Sequence, residues 1–194
     1  MSRFDDSYES STPPWDIGRP QPRFAALVGS DLVQSPIIDV GCGTGEHALA
    51  FAAAGHEVLG IDFAAKAIEL ARAKAVERGV TVQFEVADAL DLSSLGRTFA
   101  TALDSGVFHV FDDADRARYV DSLTRIVRPG GRYFMMVFSD REPTDWGGPR
   151  RIRREEIEQS FARGWKVESI EPAMFDTNIH PAGGHAHFAI LRRQ

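Results

Sequence analysis

The sequence predicts a doubly wound α/β domain whose sheet is mostly parallel and ends in an antiparallel pair. Three observations predict it. From residue 23 to about 138, short apolar runs alternate with amphipathic stretches, and this alternation needs crossovers that lay strands parallel, with helices on both faces. A glycine-rich turn, Asp39-Val40-Gly41-Cys42-Gly43-Thr44-Gly45, joins the first run to the first helical pattern. Near the end, two strand-like runs are joined by a Pro/Gly loop with no helix, which makes them antiparallel.

The runs, in order, are PIIDVG (36–41), EVLGID (57–62), VTVQFEVAD (80–88), FATALDSG (99–106) and RYFMMVFS (132–139). Helical patterns lie between them at HALAFAAAG (47–55), AAKAIELARAKAVERG (64–79) and DADRARYVDSLTRIV (115–127). Gly79 reads as a helix stop, and Pro129-Gly130-Gly131 cannot continue the third helix. The acidic run Asp112, Asp113 and Asp115 suits that helix's N-terminus, where negative charge is favourable. A helix over 153–162 leads to a strand near 165–171, and HAHFAILRR (185–193) forms the last strand. Residues 1–22, with Pro13, Pro14, Pro20 and Pro22, read as an irregular arm outside the 23–194 domain, a lid anchored by Phe4, Tyr8 and Trp15.

With 194 residues, 43% of them hydrophobic, the chain can build one sizeable core and not two full domains. It contains no apolar stretch long enough for a membrane helix, and its polar, acidic start does not read as a secretory signal. Cys42 is the only cysteine, which excludes an internal disulfide and any Cys-pair metal site and suits a reducing cytoplasm. A net charge of −6 opposes nucleic acid and anionic membranes, so the expected partner is a small molecule, and the expected state a monomer or weak homodimer.

In the turn, Gly41, Gly43 and Gly45 let the backbone bend sharply and let a ligand approach without meeting a Cβ. The helix that follows offers unpaired N–H groups, and Asp62 ends the next strand where a carboxylate can accept from both ribose hydroxyls. A dinucleotide site would place a third glycine at position 46, which is Glu46. The carboxylate of Asp39 before the first glycine suits a cationic ligand such as S-adenosylmethionine (SAM) better than a pyrophosphate.

Taken in order, these motifs resemble the class I SAM-dependent methyltransferases, from about residue 36 to the end. Ala87-Asp88-Ala89 resembles the family's third motif, which sets an acidic side chain against the adenine amino group. Asp104-Ser105-Gly106 resembles the fourth strand's end beneath the methyl group, and Arg128-Pro129-Gly130-Gly131 the turn before the fifth strand. The resemblance implies a seven-stranded Rossmann-like sheet of order 3-2-1-4-5-7-6, with SAM as methyl donor and S-adenosylhomocysteine as product. It implies cofactor contacts at Trp15, Asp39, Gly41, Cys42, Gly43, Thr44, Gly45, Asp62, Phe63, Asp88, Ala89, Asp104 and Ser105. The arm segment Pro14-Trp15-Asp16-Ile17-Gly18-Arg19-Pro20-Gln21-Pro22 is similar to that of thiopurine and heterocyclic-toxin methyltransferases.

The acceptor is expected beyond the carboxyl ends of the strands. Tyr8, Trp15, His109, Phe111, Phe138, Trp146 and Phe175 gather there, an aromatic set suited to a flat acceptor. His109 is the candidate general base, or else lines the pocket. No metal is expected at His180, His185 and His187. Arg150, Arg151, Arg153 and Arg154 precede Glu155, Glu156 and Glu158 and read as a solvated, ion-paired helix end. The function expected is methyl transfer to O, S or N of a small aromatic or heterocyclic molecule. The alternatives are a nicotinamide-dependent oxidoreductase and a SAM-binding module without catalysis.

Overall fold

The computed structural model describes residue 8 and residues 13–144 and 149–194. Seven strands form one sheet: β1 (Ile37–Val40), β2 (Val58–Asp62), β3 (Gln83–Val86), β4 (Phe99–Ser105), β5 (Val127–Phe138), β6 (Trp165–Phe175) and β7 (Gly184–Arg193). Their order is β3-β2-β1-β4-β5-β7-β6, as the sequence predicts. β1 to β5 pair in parallel, and β7 runs antiparallel to both β5 and β6.

Alternate residues of a strand point to opposite faces, and this chain fills both. Ile38, Met135 and Val137 enter one core, under α4 (Asp113–Ile126) and α5 (Arg154–Ser160). Ile37, Phe134 and Met136 enter the other, under α1 (Pro22–Ala25), α2 (Glu46–Ala53) and α3 (Ala65–Arg78). Gly79 caps α3 with a φ of 63°, and the Asp112 side chain accepts from the Asp115 N–H at 2.9 Å to cap α4. Both are the expected caps.

Five elements differ from expectation. β5 starts at Val127, paired with Phe99, and passes through Arg128-Pro129-Gly130-Gly131 as an irregularity within the strand. Gly130, at φ 82°, supplies the turn there, and a Cβ on Gly131 would lie 2.7 Å from the Ala100 carbonyl. β6 continues to Phe175 because β7 pairs with it along that length. The short α1 and the 3-10 segments Ala89–Leu95 and Phe108–Val110 go unpredicted, being too short to display a helical period. Among the described residues no helix is long and apolar enough to cross a membrane.

Candidate functional site

The glycine turn leaves the end of β1 and enters α2 through three left-handed glycines, Gly41, Gly43 and Gly45. Each missing Cβ leaves room for a neighbour. At Gly41 it would overlap Val107 Cγ2 (2.2 Å), at Gly43 it would crowd the Tyr8 hydroxyl (2.9 Å), and at Gly45 it would strike Phe84 (2.7 Å). Asp62 fastens the turn from the end of β2. Its Oδ2 accepts from the Gly43 N–H at 2.9 Å and its Oδ1 from the Ala64 N–H at 2.8 Å. Phe63 beside it is exposed. Asp88 is exposed and accepts from the Leu90 N–H, which starts the 3-10 segment containing Ala89.

Several side chains of this loop are turned away from the cleft. Asp39 is buried and accepts from the Ala48 N–H at 3.1 Å; burial raises its carboxyl to about 8, and Asp104 and Asp62 add to the rise. Cys42 packs in the α2–α3 core, where burial pushes its thiol up. The Thr44 hydroxyl donates to Asp16 at 2.9 Å and accepts from Lys74 at 2.6 Å. Cys42 and Thr44 therefore offer a ligand their backbone alone.

Asp104 corrects a sequence expectation. Its carboxylate is buried and points into the protein, where it accepts from Val107 N–H (2.7 Å), Phe108 N–H (3.1 Å), Tyr119 OH (2.9 Å) and Tyr133 OH (2.6 Å). Burial raises its pKa, against the pull of these donors. Its part is to hold the turn after β4, which leaves Ser105 half-buried at the strand end.

That turn sets His109 in an aromatic cup. Its ring stacks on Phe138 (5.2 Å between centroids, 4° between planes) and tilts against Phe175 (6.0 Å), while Phe138 and Phe175 meet at 4.8 Å. Nδ1 accepts from the Phe138 backbone N–H at 3.1 Å. A backbone N–H can only donate, so the neutral ring carries its own proton on Nε2. Burial lowers the pKa to about 3, with the Arg116 charge adding to the shift. In the ligand-free structure the ring thus offers a donor at Nε2 and no free lone pair at Nδ1. Nε2 lies 3.3 Å from the position a Cβ would take on Gly106. Phe111 does not join the cup, since it packs on Tyr119 at 5.1 Å. Trp146 lies outside the described residues.

The arm is docked at several places. Asp16 meets Thr44 and, at 3.6 Å, Lys74, which with Arg78 also holds the buried Glu46. At the β6–β7 loop, Gln21 exchanges a reciprocal pair with Asp176, donating from Nε2 to its carbonyl (2.9 Å) and accepting its N–H (2.8 Å). Asn178 donates to the carbonyls of Pro14 (from N, 2.9 Å) and Asp16 (from Nδ2, 2.6 Å). Within the arm, Trp15 Nε1 donates to the Tyr8 hydroxyl at 2.9 Å, and Tyr8 packs on Ala64 and Ala67. Tyr8 thus sits against the glycine turn and α3 rather than in the cup. Sequence reading missed Gln21, which gives no signal beyond being one more polar residue in an irregular segment.

The arginine cluster is ion-paired as expected, Arg150 with Asp113 and Glu156, Arg153 with Glu156, and Arg154 with Glu158. His187 is buried beside Asp140, and His185 is exposed.

A family model for a methyltransferase domain matches residues 37–131, from the start of β1 into β5. A 2-heptyl-1-hydroxyquinolin-4(1H)-one methyltransferase of Mycobacteroides abscessus is 35% identical over 202 residues, covering 98% of this chain and 89% of that one. A structure solved in work on the conversion of a disulfide bond into a thioacetal group during echinomycin biosynthesis superimposes with a TM-score of 0.89. It is 36% identical and covers 98% of this chain and 91% of that one. A SAM-dependent methyltransferase of Anabaena variabilis shares the fold with a TM-score of 0.78 at 20% identity, covering 98% and 92% of the two chains. By its strand order, its glycine turn and these near full-length likenesses, the chain belongs to the class I SAM-dependent methyltransferases.

Proposed function

We propose that this protein transfers the methyl group of SAM to an oxygen, sulfur or nitrogen of a small aromatic or heterocyclic acceptor held in the cup of His109, Phe138 and Phe175. The observation that carries the reading is one shared turn. The bare side of Gly41 rests on Val107 and the bare side of Gly106 faces the His109 ring, so residues 105–109 join the glycine loop to the cup.

The backbone of Gly41 to Gly45 fits close approach by a ligand, and Asp62, held at the end of β2 by two N–H groups, would accept from the ribose hydroxyls. Exposed Phe63, with Asp88 and Ala89, would flank the adenine, and Ser105 would lie beside the reacting end. SAM supplies the activated methyl group; the protein's own residues align the acceptor and keep water out. Residues 1–22 act as a cover whose Trp15 and Tyr8 close the cofactor side. The hydroxyquinolone named for the Mycobacteroides relative is itself a flat heterocycle, which supports a flat acceptor here.

The nicotinamide alternative meets a physical obstacle. Where its third glycine would stand is Glu46, a buried side chain locked to Lys74 and Arg78, so the close helix–strand packing that a glycine allows there is absent. The aromatic cup beside the glycine loop argues against a binding module without an acceptor. Calorimetric titration with SAM and NAD, followed by labelled methyl transfer to a panel of phenols, thiols and hydroxyquinolines, tests the assignment. Asp62→Ala should weaken SAM by tenfold or more, as expected for about 1.5–3 kcal/mol lost with a charged acceptor. Unchanged SAM affinity in a folded variant would show that the cofactor lies elsewhere.

A further inference from the structure

Resting on that reading of where the cofactor sits, we infer that Asp16 and Gln21 are positioning residues that tie the glycine turn to the β6–β7 loop, so that an occupied turn fixes the loop that follows Phe175. The arm is then a tie across the cleft and not a cover alone.

β1, which leads into the glycine turn, and β6, which ends on Phe175, have β4, β5 and β7 between them in the sheet. At about 4.8 Å per strand the two lie roughly 19 Å apart. Two residues of the arm close this gap, because each bonds both sides. Asp16 accepts from the Thr44 hydroxyl of the glycine turn on Oδ2 (2.9 Å) and from Asn178 Nδ2 on its main-chain carbonyl (2.6 Å). Gln21 donates its main-chain N–H to His47 Nε2 on α2 (3.1 Å). Its side-chain amide gives to and takes from the Asp176 backbone (2.9 and 2.8 Å). Between these crossings, Arg19 pairs with Asp176 at 2.6 Å and the Pro14 carbonyl accepts from the Asn178 N–H at 2.9 Å. Asp176 directly follows Phe175, the ring that meets His109 and Phe138.

The contact with the turn is firm at its far end. Thr44 is buried, and its hydroxyl is held by Lys74 at 2.6 Å, which is anchored in turn on Glu46 at 2.7 Å. Asp16 therefore senses where the backbone of the turn lies, and a cofactor seated on that backbone fixes the group Asp16 binds. An irregular segment has much backbone freedom to lose, and each hydrogen bond in reach of water is a small net gain. Contacts on one side alone do not hold such a segment; the two sides close together. A ligand that favours the closed tie is favoured by it in the same measure, so the loop beside the cup is firm when the methyl donor is in place. A second route joins the same places, since Gly41 rests on Val107 and His109 meets Phe175. The experiment has to tell the two routes apart.

Amide hydrogen exchange reads the tie directly, because the Asn178 and Asp176 N–H groups are themselves bonded to the arm. In the wild-type chain saturated with S-adenosylhomocysteine, with no acceptor added, both amides are expected to exchange slower by about tenfold or more. Asp16→Ala loses the carboxylate that meets Thr44 and keeps the carbonyl that Asn178 binds. At saturation, checked by calorimetry, it is expected to abolish the slowing at Asn178. His47→Leu frees the Gln21 main-chain N–H and leaves the pair with Asp176, and is expected to abolish the slowing at Asp176. Each crossing has its own variant and its own reporter, so a variant that does not fold leaves the other to decide. Unchanged exchange at both amides in the occupied wild-type chain would overturn the inference. Slowing that survives in the folded variants would overturn it as well, since the effect would then run through residues 105–109. If S-adenosylhomocysteine binds without slowing any amide of the glycine turn, the placement of the cofactor falls and the inference with it, a result distinct from the other two.

Discussion

A fully buried carboxylate holds the turn on which both halves of the site rest. Asp104 gathers two backbone N–H groups and two tyrosine hydroxyls, and in exchange fixes Val107 against the glycine loop and brings His109 into the cup. Replacing it by Asn keeps the volume but removes the charge and turns an N–H₂ toward donors that then lose their acceptor. Asp104→Asn should therefore cost about 2–4 kcal/mol of unfolding free energy, read from urea denaturation with an unchanged m-value. A loss below about 0.5 kcal/mol, the scale of an ordinary surface substitution, would mean that the four donors find other partners. Its place at the end of a strand beneath a catalytic cleft is legible in the sequence, but its direction is not. That depends on Tyr119 and Tyr133, which arrive 15 and 29 residues later, and no local pattern announces them. The same holds for His109, whose chemistry is decided by a backbone N–H 29 residues away.

Strands and helices were readable because each repeats its signal over a turn or a pleat, whereas the arm repeats nothing. Its polar residues suggest solvation, yet Gln21 is buried and spends both ends of its amide on the Asp176 backbone. Its own N–H donates to His47 Nε2 at 3.1 Å, which ties the arm to α2 as well. Gln21→Ala leaves the Asp176 N–H and carbonyl unpaired, a cost of about 1–3 kcal/mol falling on the arm rather than on the sheet. The expected outcome is faster chymotryptic cleavage after the exposed Trp15 and a raised acceptor KM, with a midpoint of thermal unfolding lowered by only a few degrees, about 2–4 °C per kcal/mol for a domain of this size. An arm as resistant to chymotrypsin as in the wild type would show that Asp16 and Asn178 hold it without Gln21.

At the scale of the whole molecule, the alternation of runs and the glycine turn make the parallel half legible, and the helix-free final loop makes the antiparallel end legible. What no sequence pattern displays is the charge state of groups that folding buries, and these set the pH dependence of stability. His47, His109 and His187 all have lowered pKa values through burial, the first two to about 4 and about 3. The unfolded chain protonates its histidines near about 6.5, so stability is lost as pH falls below that value. Glu46, Glu142 and Glu156, lowered by their hydrogen-bonding partners, add to the loss at the acid end. Asp39 has the opposite sign. The fold keeps its proton up to about 8 while the unfolded chain releases it near about 3.9, so across that interval the native state binds the extra proton and stability falls as pH rises. Asp104 acts in the same direction. Below about pH 6.5 three histidines outweigh two carboxyls; above it the histidines are neutral in both states and Asp39 prevails. The ligand-free protein should therefore be most stable near about pH 6.5 and lose stability toward pH 8 at up to about 1.4 kcal/mol per unit from this one group. Asp39→Asn, whose amide oxygen still accepts from Ala48, should flatten the alkaline limb and leave the acid limb in place. Urea unfolding of both proteins at half-unit steps decides it, and an alkaline fall of the same slope in the Asn variant would remove Asp39 as its source.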